Sequence, residues 1–372
     1  MCSNVISKVS IMKNSFGLLF IIFISSTALY SQNFLVANNN PGAASGINVF
    51  TGASALPNAL TASINGDVIY VVPSNISYGN INISKEITIF GIGIRPLKDS
   101  GNRSYVDIVN IDASNVRISG LISDQDEIRL GWNIGTGTIS GITIENCRIE
   151  RILMTGTPSS TIADLLIRNN VITGSGSIAT HILLNTTSNA VITNNIMPEG
   201  NIGSQPMIKA TGAFFYYNIF SDTGSGTVFG PIQNNFFDHN IFYGVRVDAA
   251  SGTFSGNTFI NNLCFGNSTD VNNIFDTNNG NIATGNIESA LGSDDPLFVN
   301  YPLTQTWNDA YDVGLQVGSS AINVNGEDIG VSGGATPFDP EGNILPLIQS
   351  VTVPAVIPVG TDLPVTIKAK GN

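Results

Sequence analysis

The chain has 372 residues, with only 11% charged, 39 glycines and a formal net charge of −12. So little charge beside so much apolar residue excludes an intrinsically disordered chain. The acidic balance argues against nucleic acid and anionic membranes as partners.

The first 31 residues read as an export signal. Lys8 and Lys13 precede an apolar run from Phe16 to Ile24, and a small-residue exit ends in Ser31. Met12 followed by Lys13 is an alternative start. The run is too short to span a bilayer comfortably, and no cysteine follows it, which argues against a lipid anchor. Cleavage near Ser31 removes two lysines and no acid, moving the charge from −12 to −14. The expected location is extracellular or on the outer cell surface, with no transmembrane segment and a monomeric chain.

Residues 32–60 read as an N-terminal cap, with a short helix expected over Ala55–Leu60. A solenoid body is expected over 61–290. It opens with Gly66-Asp67-Val68-Ile69-Tyr70-Val71-Val72-Pro73, a turn and a strand, and continues with two strands in 80–91. Residues 123–133 concentrate charge in a charge-poor protein, and an inserted loop is expected there.

From residue 142 to 287 a short apolar phrase recurs around a hinge at Cys147, Asn170, Asn195, Asn218, Asn240, Asn262 and Asn286, at spacings of 23, 25, 23, 22, 22 and 24. A fixed period in the low twenties signals a solenoid. The Ile, Val, Phe and Thr between the hinges, broken by Gly, Ser and Asn, are strand-and-turn chemistry. Three residues before the hinge lie Ile144, Ile167, Ile192, Phe215, Phe237, Phe259 and Ala283, an expected inward column. A second inward column lies two residues after it. One residue before the hinge, Asn146, Asn169, Asn194, Tyr217, His239, Asn261 and Gly285 suit a corner in left-handed backbone. Cys147 and Cys264 fall five coils apart, roughly 24 Å at one rung spacing per coil, so no disulfide between them is expected.

Residues 291–335 read as a closing segment over the last open rung, 336–346 as a linker, and 347–372 as a short β-strand extension, with the opening of a further domain as the alternative. The phrases at 66–73 and at 85–91, Lys-Glu-Ile-Thr-Ile-Phe-Gly, resemble those of secreted right-handed parallel β-helix proteins of the pectin-lyase-like superfamily. So do Asp295-Pro296-Leu297-Phe298-Val299, Gly318-Ser319-Ser320-Ala321-Ile322-Asn323 and Asp328-Ile329-Gly330, although Ser320 stands where the family usually has proline. The resemblance implies an all-β, right-handed, single-stranded parallel β-helix of about 23 residues per coil, with N- and C-terminal caps. It leaves activity open, because that superfamily holds lyases, hydrolases, adhesins and plain scaffolds.

Hydrolases of this fold use clustered carboxylates, and Asp124, Asp126 and Glu127 form the densest acidic group before the closing segment. Lyases of the fold commonly use Ca²⁺ with a Lys or Arg base, so Arg129, Arg148, Arg151 and Arg168 join the catalytic candidates. The last three lie on adjacent coils, where they could approach one another. Asp294 and Asp295 are weak calcium candidates, although Asp before Pro usually marks a turn. Otherwise no cofactor is expected. His239 beside Asp238 reads better as a corner residue than as an acid–base pair. Trp132, Tyr216, Tyr217 and Tyr243 are candidates for stacking on sugars if exposed. The leading expectation is a glycan-binding or adhesion scaffold without catalysis. The alternative is a lyase or hydrolase acting on acidic plant or algal polysaccharide.

Overall fold

The computed structural model is a parallel β-solenoid built of a 12-stranded sheet, a 15-stranded sheet and a short three-stranded sheet. It describes residues 32–94, 102–154, 160–174, 181–184, 187–198, 208–222, 227–249, 253–266, 275, 277–289, 294–303, 307–308, 310–339, 347–352 and 366–370. The expected signal segment, most of the expected linker and the side chain of Asp124 lie outside the described residues.

The first sheet stacks one short strand per coil. Its register carries Leu35 onto Ile69, Ile89, Ile118 and Ile144. It continues through Ile167, Ile192, Phe215, Phe237 and Phe259 to Ala283, the column expected from the repeat. Phe215, Phe237 and Phe259 are fully buried and stack in parallel with ring centroids 4.7 and 4.9 Å apart. One parallel rung spacing brings like rings into contact, and each such pair contributes about 0.5–1.5 kcal/mol beyond its buried area. On the second sheet Phe220 stacks on Phe242 at 5.0 Å in the same way. At the N-terminal end the helix Ala55–Ala62 buries Ala55, Leu56, Ala59 and Leu60 against the first coils, closing that end of the core.

The corner between the two sheets has two parts. Residues one before the hinge hold positive φ, from 51° at Asn146 to 67° at Gly285, with Tyr217 and His239 both at 54°. The hinge asparagines bond from rung to rung, and those from Asn170 to Asn262 are buried. From Asn195 to Asn286, the side-chain oxygen accepts from the backbone N and the amide of the hinge residue one rung before: Asn195 N and Nδ2 both donate to Asn218 Oδ1 at 3.0 Å. The ladder runs from Cys147, whose backbone N donates to Asn170, to Asn286. A second ladder, Asn235 to Asn257 to Asn281, which the repeat phrase did not disclose, lines another corner. Cys147 and Cys264 are both free and buried.

Two expectations are corrected. Residues 123–133 are not an inserted loop. Ile122–Leu130 is a strand of the second sheet, paired with Val109–Ile111 and Arg148–Met154, and it buries Ile122, Ile128 and Leu130. Nor does the closing segment simply seal the last rung. Residues 321–338 run back along the outside of the solenoid: Asn325 meets Asn261, Gly330 N donates to the carbonyl of His239, and Val331 and Gly333 accept from Asn194. The physical reason lies one residue after the hinge, where Val171, Ile196, Ile219, Ile241 and Leu263 point outward as an apolar row. Ala321, Ile329, Val331 and Phe298 cover that row in a separate hydrophobic cluster. Gly330, at φ +78°, comes so close that a Cβ there would lie 2.6 Å from Ile241. The hairpin Leu347–Thr352 and Thr366–Lys370 pairs antiparallel beyond it.

Candidate ligand-binding face

Strand alternation places two residues of each first-sheet strand outside for every inward one. The register lines these up into two outward-facing rows. One passes through Thr88, Arg117, Thr143, Leu166, Val191, Phe214, Phe236, Thr258 and Ile282; the other through Tyr70, Phe90, Ser119, Glu145, Arg168, Thr193, Tyr216, Asp238 and Ile260. Aromatic rings cluster in two places along them. Near the N-terminal end, Phe34, Tyr70 and Phe90 stack at 6.2 and 5.7 Å, with Phe34 55% exposed. Farther along, Phe214, at 36% exposure, packs beside Tyr216 and Phe236 at 6.2 and 6.3 Å. Phe90 and Tyr216 are five rungs apart, about 24 Å.

Between the two clusters sits an ion triad. Arg117 and Arg168 both bind Glu145, from the rungs before and after; Arg168 Nε donates to Glu145 Oε2 at 2.7 Å, and Arg117 donates to the other oxygen, which Ser119 Oγ also reaches at 3.1 Å. Glu145 itself is buried beneath these guanidinium groups. Burial alone would raise its pKa, but the two arginines outweigh burial and hold the carboxyl below the usual carboxylate range. Arg117 also lies 5.4 Å from the Phe90 ring. Two cations against one carboxylate leave this part of an acidic protein locally positive.

The sequence-chosen acidic group sits elsewhere. Glu127 is buried on the second sheet between Arg129 and Arg151, with Arg151 Nε donating to Glu127 Oε2 at 2.7 Å. Burial first, then Asp107 and Glu127, raise the Asp126 pKa against the pull of Arg129 and Arg151. Arg129 also covers the Trp132 ring at 4.2 Å. Arg168 lies on the first sheet, whereas Arg148 and Arg151 lie on the second, so the expected meeting of the three arginines does not form. Tyr243 is 5% exposed and packs against Phe265, Phe298 and Tyr301, which removes it as a stacking platform. Tyr217 lies under the closing segment, its hydroxyl bonded to Glu327 and its ring stacked on His239 at 5.3 Å. Trp132 and Tyr216 keep exposed ring surface.

Asp295 Oδ1 accepts from Leu297 N at 2.8 Å and so closes its own turn, and Asp294 accepts from Ser320. Among the described residues, no three of His, Cys, Asp and Glu come together as a metal site, and no helix is long and apolar enough to cross a membrane. Phe34, Tyr70, Phe90, Phe214 and Phe236 were missed as surface residues. The signal was available: four and two before the hinge share a face, so Phe214 and Phe236 had to point the same way as Tyr216 and Asp238.

No protein-family model and no curated protein matches the chain. Among solved structures, the PL6-family alginate lyase AlyGC is similar at 14% identity and a TM-score of 0.26, over 63% of this chain and 44% of that one. The chain thus spans less than half the length of that structure.

Proposed function

We propose that the protein is an exported, non-catalytic binder of an extended polysaccharide, which it engages along the outer face of the first sheet. The observation that carries this reading is the set of surface aromatics held in register at both ends of that face, Phe34, Tyr70 and Phe90 at one and Phe214, Tyr216 and Phe236 at the other. Aromatic rings kept in water cost free energy unless a partner covers them, and large exposed apolar surface marks interaction sites. Rungs repeating about every 4.8 Å offer a polymer the same contact again and again. The Arg117–Glu145–Arg168 triad sets two guanidiniums in the middle of the track, where they meet hydroxyl or acidic groups of the ligand. Its carboxylate is committed to both arginines, which suits a fixed platform better than a proton-transfer group.

The test is affinity electrophoresis through a panel of neutral and acidic polysaccharides. Retardation by at least one polymer is expected, and Tyr70→Ala with Phe90→Ala should abolish it while the far-ultraviolet circular dichroism spectrum stays that of the folded protein. Retardation unchanged by the double substitution would overturn the assignment of the face.

A second reading, a polysaccharide lyase or hydrolase centred on Asp126, draws on its raised pKa beside Glu127, Arg129 and Arg151. New reducing ends, or unsaturated product seen by ultraviolet absorbance, that vanish with Asp126→Asn would favour it. Activity that persists in Asp126→Asn and in chelator would reject it.

A further inference from the structure

The outward apolar row of the second sheet is not covered evenly along its length. Beside Val171 and Ile196, the first two residues of the row, there is a cavity of about 80 Å³. Val313 and Val331 complete its aliphatic floor, and all four side chains are buried. Trp307 and Tyr311 wall it; their rings meet nearly edge to face, with centroids 6.1 Å apart and planes at 69°. Both residues are only half-buried, so ring surface remains for a ligand. Two polar side chains share the lining, the exposed carboxylate of Asp312 and the half-buried hydroxyl of Ser332. Asp312 Oδ1 accepts from Gly314 N at 2.8 Å, which steadies the carboxylate and leaves Oδ2 for another donor.

Protein interiors hold few voids larger than a water molecule. Aliphatic walls do not give water the partners it needs, and a gap against them forfeits dispersion contacts on every side. A small apolar group therefore gains by entering. Size limits which one. A cavity of about 150 Å³ takes benzene, so about 80 Å³ suits a methyl-sized group rather than a sugar ring or a long aliphatic side chain.

The rest of the lining selects what carries that methyl. The free oxygen of Asp312 accepts a hydrogen bond, the Ser332 hydroxyl can donate one, and an aromatic face suits the C–H face of a sugar. A methyl attached to a carbonyl and an N–H is an acetamido group. A deoxysugar methyl brings no donor beside it, and an unsubstituted hexose brings nothing to fill the floor.

We propose that this cavity is a binding site for an N-acetylhexosamine. The acetyl methyl enters the floor between Val171, Ile196, Val313 and Val331. The amide N–H donates to Asp312 Oδ2, the carbonyl accepts from Ser332 Oγ, and the sugar ring lies against Trp307. The proposal does not depend on what the first sheet binds, because its readout is Trp307 on the second-sheet side.

The experiment is a nuclear magnetic resonance titration of the full chain with methyl glycosides of N-acetylglucosamine, N-acetylgalactosamine, glucosamine and glucose. The chain has two tryptophans, so Trp132→Phe assigns the two indole N–H signals. At least one acetylated sugar should shift the Trp307 signal saturably, with saturation transfer strongest at its acetyl methyl. Its counterpart without the acetyl group should bind about tenfold or more weakly, having lost the buried methyl and the amide contacts. Asp312→Ala changes only an exposed side chain and should weaken the acetylated sugar about three- to tenfold. The proposal is overturned by equal binding of sugars with and without the acetyl group, or by transfer strongest at ring protons. Unchanged affinity in Asp312→Ala overturns it too, as does a Trp307 signal that neither acetylated sugar moves at concentrations on the order of tens of millimolar. The sugar comparison uses the unmodified protein, so it stands whatever the variant does to folding.

Discussion

Replacing Asn218 with alanine tests how much of the solenoid's stability resides in the asparagine ladder. Asn218 is fully buried in mid-ladder. Its Oδ1 accepts from Asn195 N and from Asn195 Nδ2, each at 3.0 Å, and its own Nδ2 donates to Ile192 O at 2.9 Å and to Asn240 Oδ1 at 3.0 Å. Alanine removes all four bonds. Asn195 Nδ2 keeps its bond to Ile167 O and Asn240 Oδ1 keeps its bond from Asn218 N, so neither is fully orphaned. The Asn195 backbone N–H bears the main loss, deep inside the corner, because the Ile192 carbonyl sits within the paired first-sheet ladder. A buried group left short of a partner costs about 1–3 kcal/mol, so the expected destabilisation is about 1–3 kcal/mol. Urea denaturation followed by far-ultraviolet circular dichroism provides the measurement, with Asn82→Ala as the control, because Asn82 is exposed and its side chain accepts from Asn110 at the surface. A loss below about 1 kcal/mol for Asn218→Ala, or a loss no larger than that of the control, would refute the argument that buried amide pairing holds this corner.

Other outcomes follow from the same geometry. Because the Glu145 pKa is depressed in the native state, its contribution to stability is present above the unfolded value of about 4.3 and is lost as pH falls through the lower native value. Glu145→Gln should therefore flatten the acid limb of a melting-temperature profile, and an unchanged acid limb would count against the triad. Burial pushes the Cys147 thiol up to about 12 and the Cys264 thiol upward as well. In the chain from Gln32 onward, neither should react with a thiolate-directed reagent at pH 8 until the protein unfolds; rapid stoichiometric labelling of the folded protein would contradict the burial of both.

Much of the fold could be read from the chain, because the stacking is periodic in the sequence itself. The column from Ile144 to Ala283 is a register of paired strands in the structure, and the left-handed corner falls on the asparagines, Tyr217 and His239. What escaped notice was set by contacts distant in sequence. Ile122–Leu130 looked like a loop because its acids and arginine are dense, but their partner Arg151 comes from the neighbouring coil. The closing segment looked like an end cap, but Val171, Ile196, Ile219, Ile241 and Leu263 leave second-sheet strands apolar on both faces. A strand apolar on both faces requires a cover, and that cover arrives from Asn194's bond partners more than a hundred residues away. The surface aromatics were legible in principle, because strand parity places Phe214 and Phe236 outside.

Hydroxyl-radical footprinting with and without the retained polysaccharide tests the central claim most directly. Binding along the first sheet predicts protection of Tyr70, Phe90, Phe214, Tyr216 and Phe236, with Trp132, in the bend just after the second-sheet strand Ile122–Leu130, unchanged. Protection confined to Trp132 and its neighbours, with the first-sheet aromatics as reactive as in the free protein, would contradict it.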